Sequence, residues 1–165
     1  MSRLSVPRCW SMCLACRCRT PPSKKPERRC ASQHGNALYS VLKLGLADER
    51  ADQLAGLLIG WQWPDGGWNC DRNPEVHVSS FMESLIPFRA LALHGRMTGS
   101  TRSLEDAQRA AELLLRRRMF RRLSDGAAMD DNFVKLHYPC YWHYDILFGL
   151  KVMAEAGFIH DSRCA

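Results

Sequence analysis

Apolar residues along this chain recur at helical intervals, and no segment alternates with the period of two that marks a strand. Leu38, Val41, Leu42 and Leu44 form a short stripe closed by Gly45, which predicts a first helix from about residue 36 with a glycine C-cap. Asp48 caps a second helix, whose Leu54, Leu57, Leu58 and Trp61 share one face. After an irregular stretch through Pro74, Ser79 or Ser80 opens a third helix carrying Phe81, Met82, Leu85, Ile86, Leu91 and Leu93. It ends near Gly95 or Gly99, and Pro87 inside it predicts a kink or a slipped boundary. Ser103 opens a fourth, with a loose capping box in which Asp106 takes the Glu place, and with Leu104, Ala107, Ala111, Leu114, Leu115 and Phe120 along its stripe. A fifth runs from about Pro139, in the first turn, to Ala156. Residues 161–165 read as a cap and first turn with no helix behind them. The expected fold class is all-α.

Between the second and third helices stands the run Trp61, Gln62, Trp63, Pro64, Asp65, Gly66, Gly67, Trp68. Pro64 presets the first turn position and the glycines permit positive φ, so a helix end is pinned there by a turn lined with large rings. The helix beginning Asp52-Gln53-Leu54-Ala55 leads to Asp65-Gly66, and the helix holding Asp106-Ala107-Gln108 leads to Asp125-Gly126, 60 residues further on. A helical hairpin repeating at such a period belongs to a stacked or closed array, because one hairpin cannot bury its own apolar face.

Charge and cysteine divide the chain at its start. Residues 1–30 hold eight Lys and Arg against the single acid Glu27, a balance of +7 that leaves −1 for residues 31–165. The globular part is near neutral, so the basic pI is no argument for a nucleic-acid partner. Five of the eight cysteines (Cys9, Cys13, Cys16, Cys18, Cys30) lie in the same segment. Cys13 and Cys16 form a CxxC, but Cys18 and Cys30 do not supply the second well-spaced pair of a zinc ribbon. Cys70, Cys140 and Cys164 are scattered, which suits a reducing compartment and places the protein in the cytoplasm. Arginines interrupt every apolar stretch of the leader, so it is no signal peptide, and no segment has the roughly 18 apolar residues of a membrane span. The expected organisation is a disordered, basic, Cys-rich leader over 1–33 and one helical domain over 34–165.

Leu58, Gln62, Gly66 and Trp68 stand at the spacing of the QW motif and resemble that of the squalene and terpenoid cyclases. Gln62 at a helix end can satisfy orphaned backbone groups while Trp68 folds back, clamping one helix to the next. The basic residue and glycine that begin the full motif are absent, Leu57 stands in the aromatic place, and the second repeat keeps only Asp125-Gly126. The resemblance implies an α/α toroid of two concentric helix layers, a fold shared with protein prenyltransferase β subunits, of which this chain would supply two and a half hairpins. It further implies an isoprenoid or other apolar ligand.

The family's catalytic residues do not carry over. Ala128-Met129-Asp130-Asp131 has Ala in the first Asp place of the DxDD motif, and Asp130 to Val134 lacks the last acid of a DDxxD magnesium site. Asp130, Asp131 and Asn132 read better as a turn and N-cap. His137, Cys140 and His143, at i, i+3 and i+6, could share a helix face as zinc ligands in the manner of the prenyltransferases. An aromatic inner-layer helix with half-buried histidines is the plainer reading. Five arginines (Arg116, Arg117, Arg118, Arg121, Arg122) read as an anion site or, more simply, as a solvated face suited to a helix C-terminus. His77, His94 and His160 look like surface or capping residues, and Glu83 like the edge of an apolar stripe. Trp61, Trp63, Trp68, Tyr138, Tyr141, Trp142 and Tyr144 either line an apolar pocket or pack the helices together. No catalytic residue, cofactor or metal ligand is assigned. Two functions are expected: an incomplete or degenerate relative of the cyclases and prenyltransferases, inactive as an isolated chain, or a non-enzymatic helical-repeat module. The module would bind a protein partner, or itself, through uncovered helix faces.

Overall fold

A computed structural model of the chain describes residues 30–71, 73, 75–140 and 143–164. Nearly all of the expected leader, with its CxxC, lies outside the described residues, as do Tyr141 and Trp142. The described chain is all-helical, with five α-helices: α1 (Ala31–Lys43), α2 (Glu49–Gly60), α3 (Phe81–Thr98), α4 (Thr101–Arg116) and α5 (Ile146–Ala156). Two short 3-10 turns, Asp131–Val134 and Ser162–Cys164, complete it, and the one isolated β-bridge pairs Arg121 with Ala128.

Local chemistry sets most helix ends. Asp48 Oδ1 accepts the Arg50 amide at 2.9 Å to start α2, with Glu49 and Asp52 in the first turn where the helix dipole favours acids. Asp145 Oδ1 accepts the Phe148 amide at 2.8 Å to start α5. That helix therefore begins seven residues later than Pro139 suggests; Pro139 sits in a loop after a cis peptide bond. The fourth helix begins earlier than expected, because Ser100 rather than Ser103 is its cap, taking the Ser103 amide at 3.3 Å. Helix α3 runs unbroken through Pro87 and stops at Gly99, whose φ of +73° is the left-handed stop that a side chain resists.

Helix α3 is the hub of the packing: it contacts α1, α4, α5 and α2, while α2 also packs on α1 and touches α4. Being surrounded, α3 buries residues on nearly every side, including Leu85, Phe88, Leu91 and His94. Close approach on α1 is possible because Gly35 faces the α3 backbone. A β-carbon there would lie 2.9 Å from Pro87 N and 3.0 Å from Ile86 C. The face that α2 turns inward is Ala51, Ala55 and Leu58, while Leu57, expected in the stripe, is exposed. Beyond α5, Asp161 Oδ1 caps the last 3-10 turn through the Arg163 amide at 2.9 Å.

These contacts give two glycine substitutions opposite signs. Gly35→Ala gains about 1 kcal/mol of helix propensity, but overpacking against backbone costs about 1–3 kcal/mol, so a lower urea midpoint is expected. Gly56→Ala, where a β-carbon would meet nothing within 4 Å, is expected to raise stability by about 0.5–1 kcal/mol in the same assay.

Candidate functional site

The run from Trp61 to Trp68 folds as a clamp across three helices. Gly66 has φ +99° and its amide donates to Trp63 O at 2.9 Å, while the Trp63 amide donates to Gly67 O at 2.8 Å. This tight turn throws Trp68 back into the core, where its indole Nε1 donates to Leu58 O at 2.9 Å. Leu58 O lies in the last turn of α2, where it also shares the Trp61 amide at 3.2 Å. The Trp68 amide donates to Ser84 Oγ of α3 at 2.9 Å. Gln62 Nε2 donates to Gly66 O at 2.9 Å and to Asp106 O of α4 at 2.8 Å, and its Oε1 accepts Arg109 Nε at 3.1 Å. Arg109 also pairs with the buried carboxylate of Asp106. The labour is thus divided differently from the sequence expectation: Trp68 caps α2, and Gln62 closes the turn and holds α4.

No side chain fits where the clamp touches its neighbours. A β-carbon on Gly66 would sit 2.6 Å from Arg109 O, and one on Gly67 2.5 Å from Leu113 Cδ2. Asp65 fastens the lead into α3, its Oδ2 accepting the Ser79 amide at 2.8 Å and its Oδ1 the Ser79 hydroxyl at 2.5 Å. The second Asp-Gly does none of this. Asp125 is exposed, pairs with Arg122 at 3.1 Å and accepts the Ala127 amide at 3.0 Å, and a β-carbon on Gly126 would meet nothing within 4 Å.

The residues weighed for chemistry are dispersed. Asp130 and Asp131 are exposed, and Asp130 Oδ1 accepts the Asn132 amide at 2.8 Å, capping the 3-10 turn. His137, Cys140 and His143 lie on a loop instead of a helix. The two imidazoles stack at 4.5 Å between centroids, and the Cys140 thiol donates to His137 O at 3.3 Å. Among the described residues no group of three or more His, Cys, Asp and Glu side chains is arranged to hold a metal ion. Arg121 lies over the Phe120 ring and donates to Gly126 O, with no convergence of the five arginines beyond local pairs. Of the described aromatics, Trp68 and Tyr144 are core, Trp61 meets the His34 ring edge-on at 5.0 Å, and Tyr138 is 99% exposed.

Three polar arrangements went unseen in the sequence. His94 is buried, where a surface or capping position is expected for it; its Nδ1 lies 2.9 Å from Ser103 Oγ and its Nε2 2.9 Å from Asp52 Oδ1. The trio has the residue types of a nucleophilic triad with the exposures reversed. Ser103 is 1% exposed and out of a substrate's reach, while the Asp52 side chain is 72% exposed. It ties α2, α3 and α4 together. Arg89 ties α3 to α5 and α1, donating from Nε to Glu155 Oε2 at 2.6 Å and from Nη2 to Tyr39 OH at 2.8 Å, with its guanidinium 3.8 Å above the Tyr39 ring. Burial works to raise the Glu155 carboxyl; Arg89, with Lys151 and Tyr39 behind it, overrides this and holds it below the usual carboxylate range. Tyr144 donates to Met119 O at 2.6 Å and meets Phe81 and Phe133 at 5.3 and 4.8 Å between centroids. Burial first, and then the charges of Asp145 and Cys164, push its phenol well up.

No helix among the described residues is long and apolar enough to cross a membrane. Compared with protein-family models, with curated proteins and with solved structures, the chain matches none.

Trp68→Phe removes the indole donor to Leu58 O, which keeps only the longer Trp61 amide bond, at about 1 kcal/mol, and removes buried ring volume as well. Its urea midpoint is expected to fall further than that of Gln62→Ala, whose contacts are only partly buried. For Glu155 the folded carboxyl is depressed, so its stabilisation is present above the ordinary glutamate value and lost as pH falls through the folded one. Between about pH 5 and pH 3 the melting temperature of the unmutated chain is expected to fall more steeply than that of Glu155→Gln.

Proposed function

We propose that this chain is a degenerate relative of the squalene and terpenoid cyclases and of the prenyltransferase β subunits, its helices forming part of an α/α toroid. It is isoprenoid-related in origin and without turnover of its own. The observation that carries the reading is the clamp: Gln62 and Trp68 stand at QW-motif spacing and join α2 to α3 and α4 by side-chain bonds to backbone. The absence of turnover rests on the acids. A carboxylic acid that protonates an alkene needs neighbouring carboxyls and donors to keep its proton poised. Asp130 instead spends a carboxylate oxygen on capping a turn in solvent, and Ala128 contributes none. Cysteine usage supports a cytoplasmic location.

Incubating the purified chain with squalene, or with farnesyl diphosphate and magnesium, is expected to return substrate unchanged by gas chromatography–mass spectrometry. A cyclised or transferred product would overturn the statement on turnover.

A second reading, a helical-repeat module that binds a protein or its own copy, is favoured by one surface. Val134, Leu136, Tyr138 and Leu147 are all exposed on and beside the segment that leads into α5. Sedimentation velocity separates the two readings. Mass that rises with concentration, and that falls back in Leu136→Ser, supports the module, and a constant monomer rules out self-association.

A further inference from the structure

The connection between α4 and α5 opens with a small hairpin whose tip carries a hydroxyl behind two arginines. The Met129 amide donates to Phe120 O at 2.8 Å and the Arg122 amide to Ala127 O at 2.8 Å, with Arg121 bridged to Ala128 between them. The tip is Leu123-Ser124-Asp125-Gly126, closed by the Gly126 amide on Arg122 O at 3.0 Å. Leu123, Ser124 and Asp125 are exposed, and the Ser124 side chain has no partner among the described residues. Arg121 and Arg122, both exposed, thus stand three and two positions before a free hydroxyl. Nη1 of Arg121 donates to Gly126 O at 2.9 Å, and Nη2 of Arg122 pairs with Asp125 Oδ2 at 3.1 Å, so both guanidiniums lie beside the tip. A second serine also follows an arginine pair, Arg28-Arg29, but the fold treats it differently. Ser32 lies inside α1, and its hydroxyl donates to Glu83 Oε2 of α3 at 2.7 Å, an oxygen that the Cys30 thiol reaches at 3.4 Å.

We propose that Ser124 is a phosphorylation site, modified by an ATP-dependent protein kinase of the class that reads arginines ahead of its acceptor. Such a kinase takes its substrate as an extended strand and meets the arginines with carboxylates in its cleft. Two guanidiniums at the third and second positions before the hydroxyl supply both the charge and the forked donors for that pairing. The tip can enter the cleft at little cost, since an exposed hairpin held by a few backbone bonds opens locally without disturbing the core. The γ-phosphoryl passes from magnesium ATP to Ser124 Oγ. The new Oγ–P bond forms as the bond to the bridging oxygen breaks, ADP leaves, and the hydroxyl proton passes to the catalytic aspartate of the kinase. The product places about −1.5 to −2 of charge and three acceptor oxygens beside Arg121 and Arg122. Asp125 is the competitor there: Arg122 first, and then the Ala127 amide, hold its carboxyl below the usual range. A phosphate is the stronger partner for a guanidinium, so it takes Arg122 from Asp125 and the tip re-forms around it. The five arginines and Asp125 give residues 116–125 a balance of +4, which the phosphate cuts to about +2.

The test incubates the full chain with magnesium ATP and the catalytic subunit of the cyclic-AMP-dependent protein kinase, an arginine-reading enzyme, and then digests it with trypsin for mass spectrometry. Peptide 123–135 holds Ser124 as its one hydroxyl-bearing side chain, so a phosphate on it identifies the site by mass alone. The expected result is that this peptide carries phosphate in most of the chains. Replacing both arginines, Arg121→Ala with Arg122→Ala, is expected to slow its modification at least about ten-fold, which corresponds to one lost charge-assisted pair or more. Capture of the phosphate by the arginines has its own readout in phosphorus NMR. The second ionisation, ordinarily near about pH 6, is expected lower in the folded chain than in the isolated phosphopeptide 123–135, which lacks both arginines. The proposal is overturned if peptide 123–135 stays unmodified while Ser32 or the serines before it take phosphate. It is equally overturned if the double variant is modified as fast as the unmutated chain. A phosphate that titrates alike in chain and peptide overturns its capture by Arg121 and Arg122.

Discussion

The described structure depends on satisfying the backbone groups at the end of α2 while hiding a tryptophan. A helix C-terminus leaves carbonyls without donors, and burying one unmet is expensive. An indole is large and apolar, but its N–H needs an acceptor once it leaves water. The Trp68 indole finds its acceptor in Leu58 O at 2.9 Å, adding to the 3.2 Å bond that carbonyl takes from the Trp61 amide, and the turn that makes the bond possible also places the start of α3 through Ser84 and the side of α4 through Gln62. Helix α3 can then be covered on all sides because its neighbours are fixed in angle as well as in contact. The tight glycines follow from the same demand: at Gly66 and Gly67 the turn lies flat against Arg109 O and Leu113, leaving no room for a β-carbon.

What the sequence made legible was local in origin. Trp68 and Gln62 were found because their partners are fixed by a turn a few residues long, and Asp48 because an N-cap acts on an amide two positions away. The start of α5 carried an equally local signal that Pro139 outweighed: Asp145 directly before the apolar run Ile146 to Leu150. Leu57 misled for another reason. Helices that approach closely turn small residues inward, so the buried stripe on α2 is Ala51, Ala55 and Leu58, with Leu54 and Trp61 partly covered and Leu57 outside it.

The rest was illegible because its partners are remote. His94 meets Asp52 across 42 positions and Arg89 meets Glu155 across 66, and no spacing rule selects one acid among the 17 in the chain. The candidate site suffers in the same way. A reader of the sequence sees Cys30 in a cysteine-rich leader and Glu83 in a helix, and nothing short of the packing of α1 on α3 brings the two together. Residues grouped by sequence, such as Asp130 with Asp131 or His137 with Cys140 and His143, turn out to serve their own turns and caps.

The alanine face of α2 has a further consequence, one of dynamics. Only Ala51, Ala55 and Leu58 are fully buried from that helix, with Leu54 and Ile59 partly so. It removes less apolar area from water than α3, and area removed sets most of the free energy of local opening. Directional bonds, from Trp68 at its C-terminal end and from His94 to Asp52 in its first turn, hold it in place of bulk. Such an attachment opens more easily than the surrounded α3, so the α2 amides are expected to exchange with solvent before those of α3.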